Sequence, residues 1–207
     1  MLKLKSKERN IWFTSDSHYG HKNITLGESS WNDASPDNCR DFKTTKEMSQ
    51  HIVDNINKYV KEDDILFHLG DWSFGGWRNI WKFRKQIICK TIHLIGGNHD
   101  QHIDNNKEFG INAQELFSSY QRYLEISIDG HMITIMHFPI AVWSEQHRGS
   151  WNLHGHNHGN YKPKGKQLDV GVDNIFKLFG EYKPISFNEV RKVMENTKID
   201  IVDGRKR

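Results

Sequence analysis

Three times in its first hundred residues the chain runs a short apolar stretch straight into a polar one: NIWFTSD at 10–16, DILFHLGD at 64–71 and TIHLIGGNHD at 91–100. A buried strand that empties into a loop has this appearance, because residues covered on both faces stay apolar until the backbone leaves the sheet. Helical periodicity fills the intervals. Met48, Ile52, Ile56, Tyr59 and Val60 recur at helical spacing between 44 and 62, with Thr44 or Thr45 available as a cap, and Ile80, Trp81, Arg84, Ile87 and Ile88 do the same between 77 and 88. Strand, helix, strand with polar strand ends is the grammar of an α/β sheet, and it restricts the fold more than any other feature of the chain.

The second half changes character. YLEISIDGHMITIMHF at 123–138 sets two alternating runs around Asp129 and Gly130. That pair is a hairpin signal, because a type I′ turn needs positive φ at both central residues. LHGHNH and LDVGVDN read as two further strands. SFNEVRKVMEN closes the chain as a helix over about 186–197, with Ser186 and Glu189 placed for a capping box. Residues 17–43, rich in Gly, Pro, Ser and Asn, read as a long loop bordering a site. No repeat interrupts the 207 residues, so one layered α/β or α+β domain over 1–207 is expected.

Composition narrows the classes. The 29 basic and 26 acidic residues leave a net charge of +3, too balanced to mark the chain as a nucleic-acid binder, although its GRKR tail is basic. No apolar run approaches the roughly 20 residues that span a bilayer, and MLKLKSKERN lacks the apolar centre of a signal peptide. A cytoplasmic protein with no membrane partner is expected. Two cysteines, Cys39 and Cys89, make a disulfide framework improbable. The tryptophans, Trp31 among them, belong to a core or a cleft wall before a base-stacking platform.

The polar residues at the strand exits share one chemistry. Asp16 and His18 follow the first, Asp71 the second, Asn98, His99 and Asp100 the third; His137 follows the hairpin, and His156 and His158 follow LHG. All offer oxygen or nitrogen, and strand ends on one side of an open sheet converge on a crevice. A mixed carboxylate, amide and imidazole set without thiolate suits Mn, Fe, Zn, Ni or Co better than Ca or Cu(I). Asp16, His18, Asp71, Asn98, His137, His156 and His158 are more donors than one tetrahedral ion uses, whereas two ions sharing a carboxylate accommodate them. His154 lies on the same alternation but reads as a packed strand histidine. His68 and His93 read as core residues, and His51 and His131 as surface positions.

SDSH, LGD, GGNHD, an isolated MHF and GHNH, in that order, resemble the calcineurin-like metallophosphoesterases from about residue 11 to 172, and in particular the small bacterial and phage members. The resemblance implies a four-layer sandwich of two packed mixed β-sheets flanked by helices. It implies two divalent ions, Mn favoured: Asp16, His18 and His158 on one, Asn98, His137 and His156 on the other, Asp71 bridging. It implies hydrolysis by a hydroxide held between the ions, with His99 protonating the leaving group and Asp100 orienting the His99 ring. His21, Lys22, Asn23, Trp72, Phe74 and Arg148 are weaker candidates for the cleft mouth. The phosphoprotein phosphatases carry Asp-Arg-Gly after Gly-Asp, and Glu after GNH; LGDWSFGG and GGNHD depart from both. A small phosphodiester or phosphomonoester, nucleotide-like in kind, is therefore the expected substrate, ahead of single-stranded nucleic acid and well ahead of a noncatalytic scaffold.

Overall fold

The computed structural model describes residues 1–25, 40–105, 107–108 and 110–200. Trp31, Cys39, the 26–39 part of the expected loop and the GRKR tail lie outside the described residues. The strands are β1 (Leu2–Leu4), β2 (Ile11–Thr14), β3 (Ile65–His68), β4 (Thr91–Ile95), β5 (Lys107–Glu108), β6 (Ile111–Asn112), β7 (Ser119–Gln121), β8 (Tyr123–Ile128), β9 (His131–Met136), β10 (Trp151–His154), β11 (Gln167–Asp169) and β12 (Ile185–Ser186). The helices are α1 (Lys22–Thr25), α2 (Thr45–Tyr59), α3 (Trp77–Gln86), α4 (Gln101–Asn105), α5 (Val172–Phe179) and α6 (Phe187–Glu195).

Two mixed sheets carry the architecture. One has the order β12-β2-β3-β4-β7, parallel except where β12 meets β2; the other has the order β1-β8-β9-β10-β11, antiparallel only between β8 and β9. Alternation along β3 explains why its run is apolar throughout. Ile65 and Phe67 enter the core shared with Ile126, Ile128, Ile133, Ile135 and Leu153 of the second sheet, while Leu66 joins Ile52 and Ile56 of α2 and Ile80 and Phe83 of α3. A sheet covered on both faces by a partner sheet and by helices is the α/β sandwich expected from the resemblance. Each such side chain, fully buried, contributes roughly 1.5–3 kcal/mol.

Local signals mark several boundaries. Thr44 caps α2 by accepting the Glu47 N–H at 3.1 Å, and Ser186 and Glu189 form both halves of the capping box. Asp129 and Gly130 turn with φ of 50° and 88°, and the Asp129 carboxylate also binds the Ser6 N–H at 3.1 Å, tying β1 to the hairpin.

Several expectations need correction: the first long helix ends at Tyr59 rather than 62, LHGHNH is a strand only through His154, and the expected 17–43 loop contains α1. The second helix ends at Gln86 rather than 88, because Ile87 turns extended and buries its side chain. LDVGVDN is a strand only through Asp169: the Asp169 carboxylate accepts the Gly171 N–H at 2.8 Å and the Gly159 N–H at 2.9 Å, turning the chain into α5. The final helix runs 187–195, with Ser186 outside it as the cap. Among the described residues no helix is long and apolar enough to cross a membrane.

Candidate metal centre

The parallel strands β2, β3 and β4 end on one edge, and their exit loops hold one another through the backbone. Asp16 N–H donates to Gly70 O at 2.9 Å and His18 N–H to Asp71 O at 3.0 Å. The second sheet joins when Gly155 N–H donates to His137 O at 2.9 Å and His156 N–H meets the two Asp16 carboxylate oxygens at 3.1 and 3.0 Å. Asp16, His18, Asp71, His156 and His158 all have positive φ, between 48° and 71°. Left-handed backbone is uncommon outside glycine, and here it bends five side chains toward one place. Gly155 has to be glycine, since a Cβ there would lie 2.0 Å from Ser15 Oγ and 2.5 Å from Asp16 Oδ2.

Two donor groups result. Ligand atoms of Asp16, His18 and His158 lie within 4.8 Å of one another, and so do those of Asp16, Asp71 and His137. Asp71 Oδ2 is 3.5 Å from His18 Nε2 and 3.5 Å from His137 Nε2, between the two. Asn98 Oδ1 lies 3.0 Å from His137 Nε2 and 2.9 Å from His156 Nδ1. All seven donor positions named from the sequence thus meet in one cup; Asp16 belongs to both groups, and Asp71, in the second, faces His18 of the first.

The residues fit a pair of divalent cations. Among the described residues both ring nitrogens of His18 are buried without a hydrogen-bond partner, a costly state that a cation at Nε2 would relieve. His137 Nδ1 contacts Leu69 O at 2.7 Å, which assigns its N–H to the carbonyl and turns Nε2 inward. His158 Nδ1 is held by Asp173 Oδ2 at 2.6 Å, and Asp173 in turn accepts from buried Arg40, Nε and Nη2, each at 2.9 Å.

The protonation pattern fits the same site. Burial raises the Asp16 carboxyl to about 7, although His158 and His137 pull it down. Burial lowers His137, but the Asp71 and Asp16 carboxylates outweigh it and raise the ring to about 9. His158 is raised too, its burial overcome by Asp173 and Asp16. His18, mainly through burial, is held well below the ordinary imidazole value. Protons on His137 and Asp16 therefore occupy places that a cation would take.

His99 is exposed at the lip of the cup; its backbone N–H donates to Asp71 Oδ1 at 2.9 Å and its ring centroid lies 5.6 Å from that of His18. Asp100 does not orient that ring. Its Oδ2 accepts the N–H groups of Asp71 and Gly97, each at 2.8 Å, and its Oδ1 accepts Trp72 N–H at 2.9 Å. Burial raises its carboxyl to about 6 against those three hydrogen bonds, and both oxygens are spent on joining the Asp71 loop to the Asn98 loop.

Among the weaker candidates, Trp72 is wholly buried against Phe83 and Phe117, while Phe74 and His21 stand beside His18 and His99. Arg148 pairs with Glu145 at 2.9 Å. His154 is buried with Nδ1 on Gly155 O at 3.0 Å and joins neither donor group, and His68 is buried with Nε2 on Ser17 Oγ at 2.7 Å. His93 is half-buried on Ser119 Oγ at 2.8 Å. His131 is not a free surface residue: its ring stacks on Trp151 at 4.5 Å. Arg40 and Asp173, which back His158, are positions that pattern missed, since 133 positions separate them and neither sits in a recognisable block.

The calcineurin-like phosphoesterase family matches residues 9–203. The chain belongs to that family of metal-dependent phosphoester hydrolases, whose members generally hold two metal ions. It is similar to the uncharacterized protein MJ1445 of Methanocaldococcus jannaschii, 27% identical over 202 residues, covering 92% of this chain and 94% of that protein. It is also similar to the Gene 66 protein of Mycobacterium phage D29, 26% identical over 220 residues, covering 94% and 98%. The crystal structure of AQ665, a protein of unknown function from Aquifex aeolicus, has the same fold, with a TM-score of 0.60 at 21% identity over 89% of this chain and 99% of that one.

Proposed function

We propose that the chain hydrolyses a small phosphodiester or phosphomonoester, nucleotide-like in kind, using two divalent cations, manganese foremost. Asp16, His18 and His158 would hold one, Asn98, His137 and His156 the other, with Asp71 between them. The observation that carries this is the Asp71 Oδ2 atom, 3.5 Å from a ring nitrogen of each set. Bound there, the cations would supply Lewis acidity, drawing charge from the phosphoryl oxygens and acidifying water at neutral pH.

The chain's own groups do the remaining work. His99, exposed at the lip and tethered through its backbone to Asp71, has a ring free to hydrogen-bond a phosphoryl oxygen and to give a proton to the departing ester oxygen. Asp100 positions the two loops that carry Asp71 and Asn98. Arg40 and Asp173 hold the His158 ring in place.

Protein stripped of metal by chelation and reloaded with manganese is expected to hydrolyse bis-p-nitrophenyl phosphate, and to lose that activity on renewed chelation. Protein that carries near-stoichiometric manganese, iron, zinc, nickel or cobalt and stays inert with each would overturn the proposal.

A further inference from the structure

Beside His99 the chain places a large apolar ring where packing does not call for one. Phe74 is only half-buried and belongs to neither hydrophobic core. Its backbone is nevertheless pinned: Ser73 bridges to Tyr19, Phe74 N–H donates to Tyr19 O at 2.9 Å, and Asn79 Nδ2 donates to Phe74 O at 2.5 Å. Its ring neighbours are imidazoles. His21 stacks on it with centroids 3.6 Å apart and planes 7° from parallel, while the centroids of His99 and His18 lie at 4.8 and 5.5 Å.

A half-open ring on a pinned backbone, backed by a second flat ring and set beside His99, is built to meet another flat ring. We propose that Phe74, backed by His21, is the specificity wall of the site and takes the planar leaving group of an aryl or nucleoside ester by stacking. The inference rests on the phosphoesterase reading, in which His99 protonates the departing oxygen; whatever that oxygen carries then lies within reach of Phe74. Ring-on-ring stacking of this kind is worth about tenfold in affinity.

Phenylphosphonate and methylphosphonate differ by the ring alone and present the same anionic group, so calorimetric titration of manganese-loaded protein separates stacking from phosphoryl binding. Wild-type protein is expected to bind phenylphosphonate about tenfold tighter than methylphosphonate. Phe74→Leu is expected to bring the two within about twofold, with methylphosphonate affinity and metal content unchanged, and Phe74→Trp to keep the preference. Equal binding by the wild type, or a preference that survives Phe74→Leu, overturns the proposal. Should Phe74→Leu fail to fold or to hold metal, Phe74→Trp decides, and a lost preference there overturns it as well. If ester cleavage and methylphosphonate binding persist without ring preference, the wall alone has failed. If metal-loaded protein neither cleaves bis-p-nitrophenyl phosphate nor binds either phosphonate, the phosphoesterase reading has failed with it.

Discussion

Two regions of the molecule bury polar side chains, and they treat them in opposite ways. On the outer face of the sheet containing β10 and β11, Asn152 and Gln167 close a circuit. Asn152 Nδ2 donates to Thr134 O at 3.1 Å, Gln167 Nε2 donates to Asn152 Oδ1 at 3.0 Å and to Ile140 O at 2.7 Å, and Gln167 Oε1 accepts Lys164 N–H at 2.9 Å. Where β2 and β9 end, the cup leaves both His18 ring nitrogens without a hydrogen-bond partner among the described residues and raises a carboxyl and an imidazole together. A closed network is complete without a ligand and serves the fold; an open one carries an uncompensated cost until something enters.

The sharpest way to break this contrast is to alter the lip of the cup. His99→Ala is expected to lower kcat by roughly 10²–10⁴ while metal content measured by elemental analysis stays unchanged. Lost metal, or unchanged turnover, would deny His99 the role of proton donor. Behind the cup, Asp173→Asn is expected to weaken metal binding by roughly 10- to 100-fold in competition with a chelator, because the His158 ring loses its charged partner.

The closed network should respond differently. Asn152→Ala takes one of two acceptors from Gln167 Nε2 and a donor from Thr134 O, and is expected to cost roughly 1–3 kcal/mol in denaturant unfolding, with kcat per bound metal unaltered. A fall in kcat without loss of stability would erase the distinction between the regions. A further effect concerns pH. Without metal, His137 keeps its proton up to about pH 9 and Asp16 up to about pH 7. A cation must displace both protons, so metal affinity should rise from pH 6 to pH 8 by at most about tenfold per unit for each proton released. Calorimetry in buffers of different ionisation enthalpy reads that release directly, and an affinity indifferent to pH would show that these groups are not ligands.

Much of this was legible before any coordinates because it is local. An apolar run with nowhere to go but a buried strand, Thr44 before α2, the Ser186 and Glu189 box and the Asp129-Gly130 turn each depend on neighbours a few residues away. The seven donors could be named because each follows a strand end closely. The strands β1, β5, β6, β7 and β12 could not, since two or three residues carry no period.

By itself, then, the sequence determined the strand and helix order, the hairpin, the caps and the kinds of donor available at each exit, all consequences of burial pattern and backbone preference over short spans. Only the tertiary structure decided what those groups face. It gave Asp100 to three backbone amides instead of the His99 ring, brought Arg40 and Asp173 together behind His158, shared Asp16 between two donor groups and set Phe74 against three imidazoles. Arg40 and Asp173 alone are separated by 133 positions along the chain, and a contact across that distance follows from how the two sheets pack, which no short-range pattern encodes.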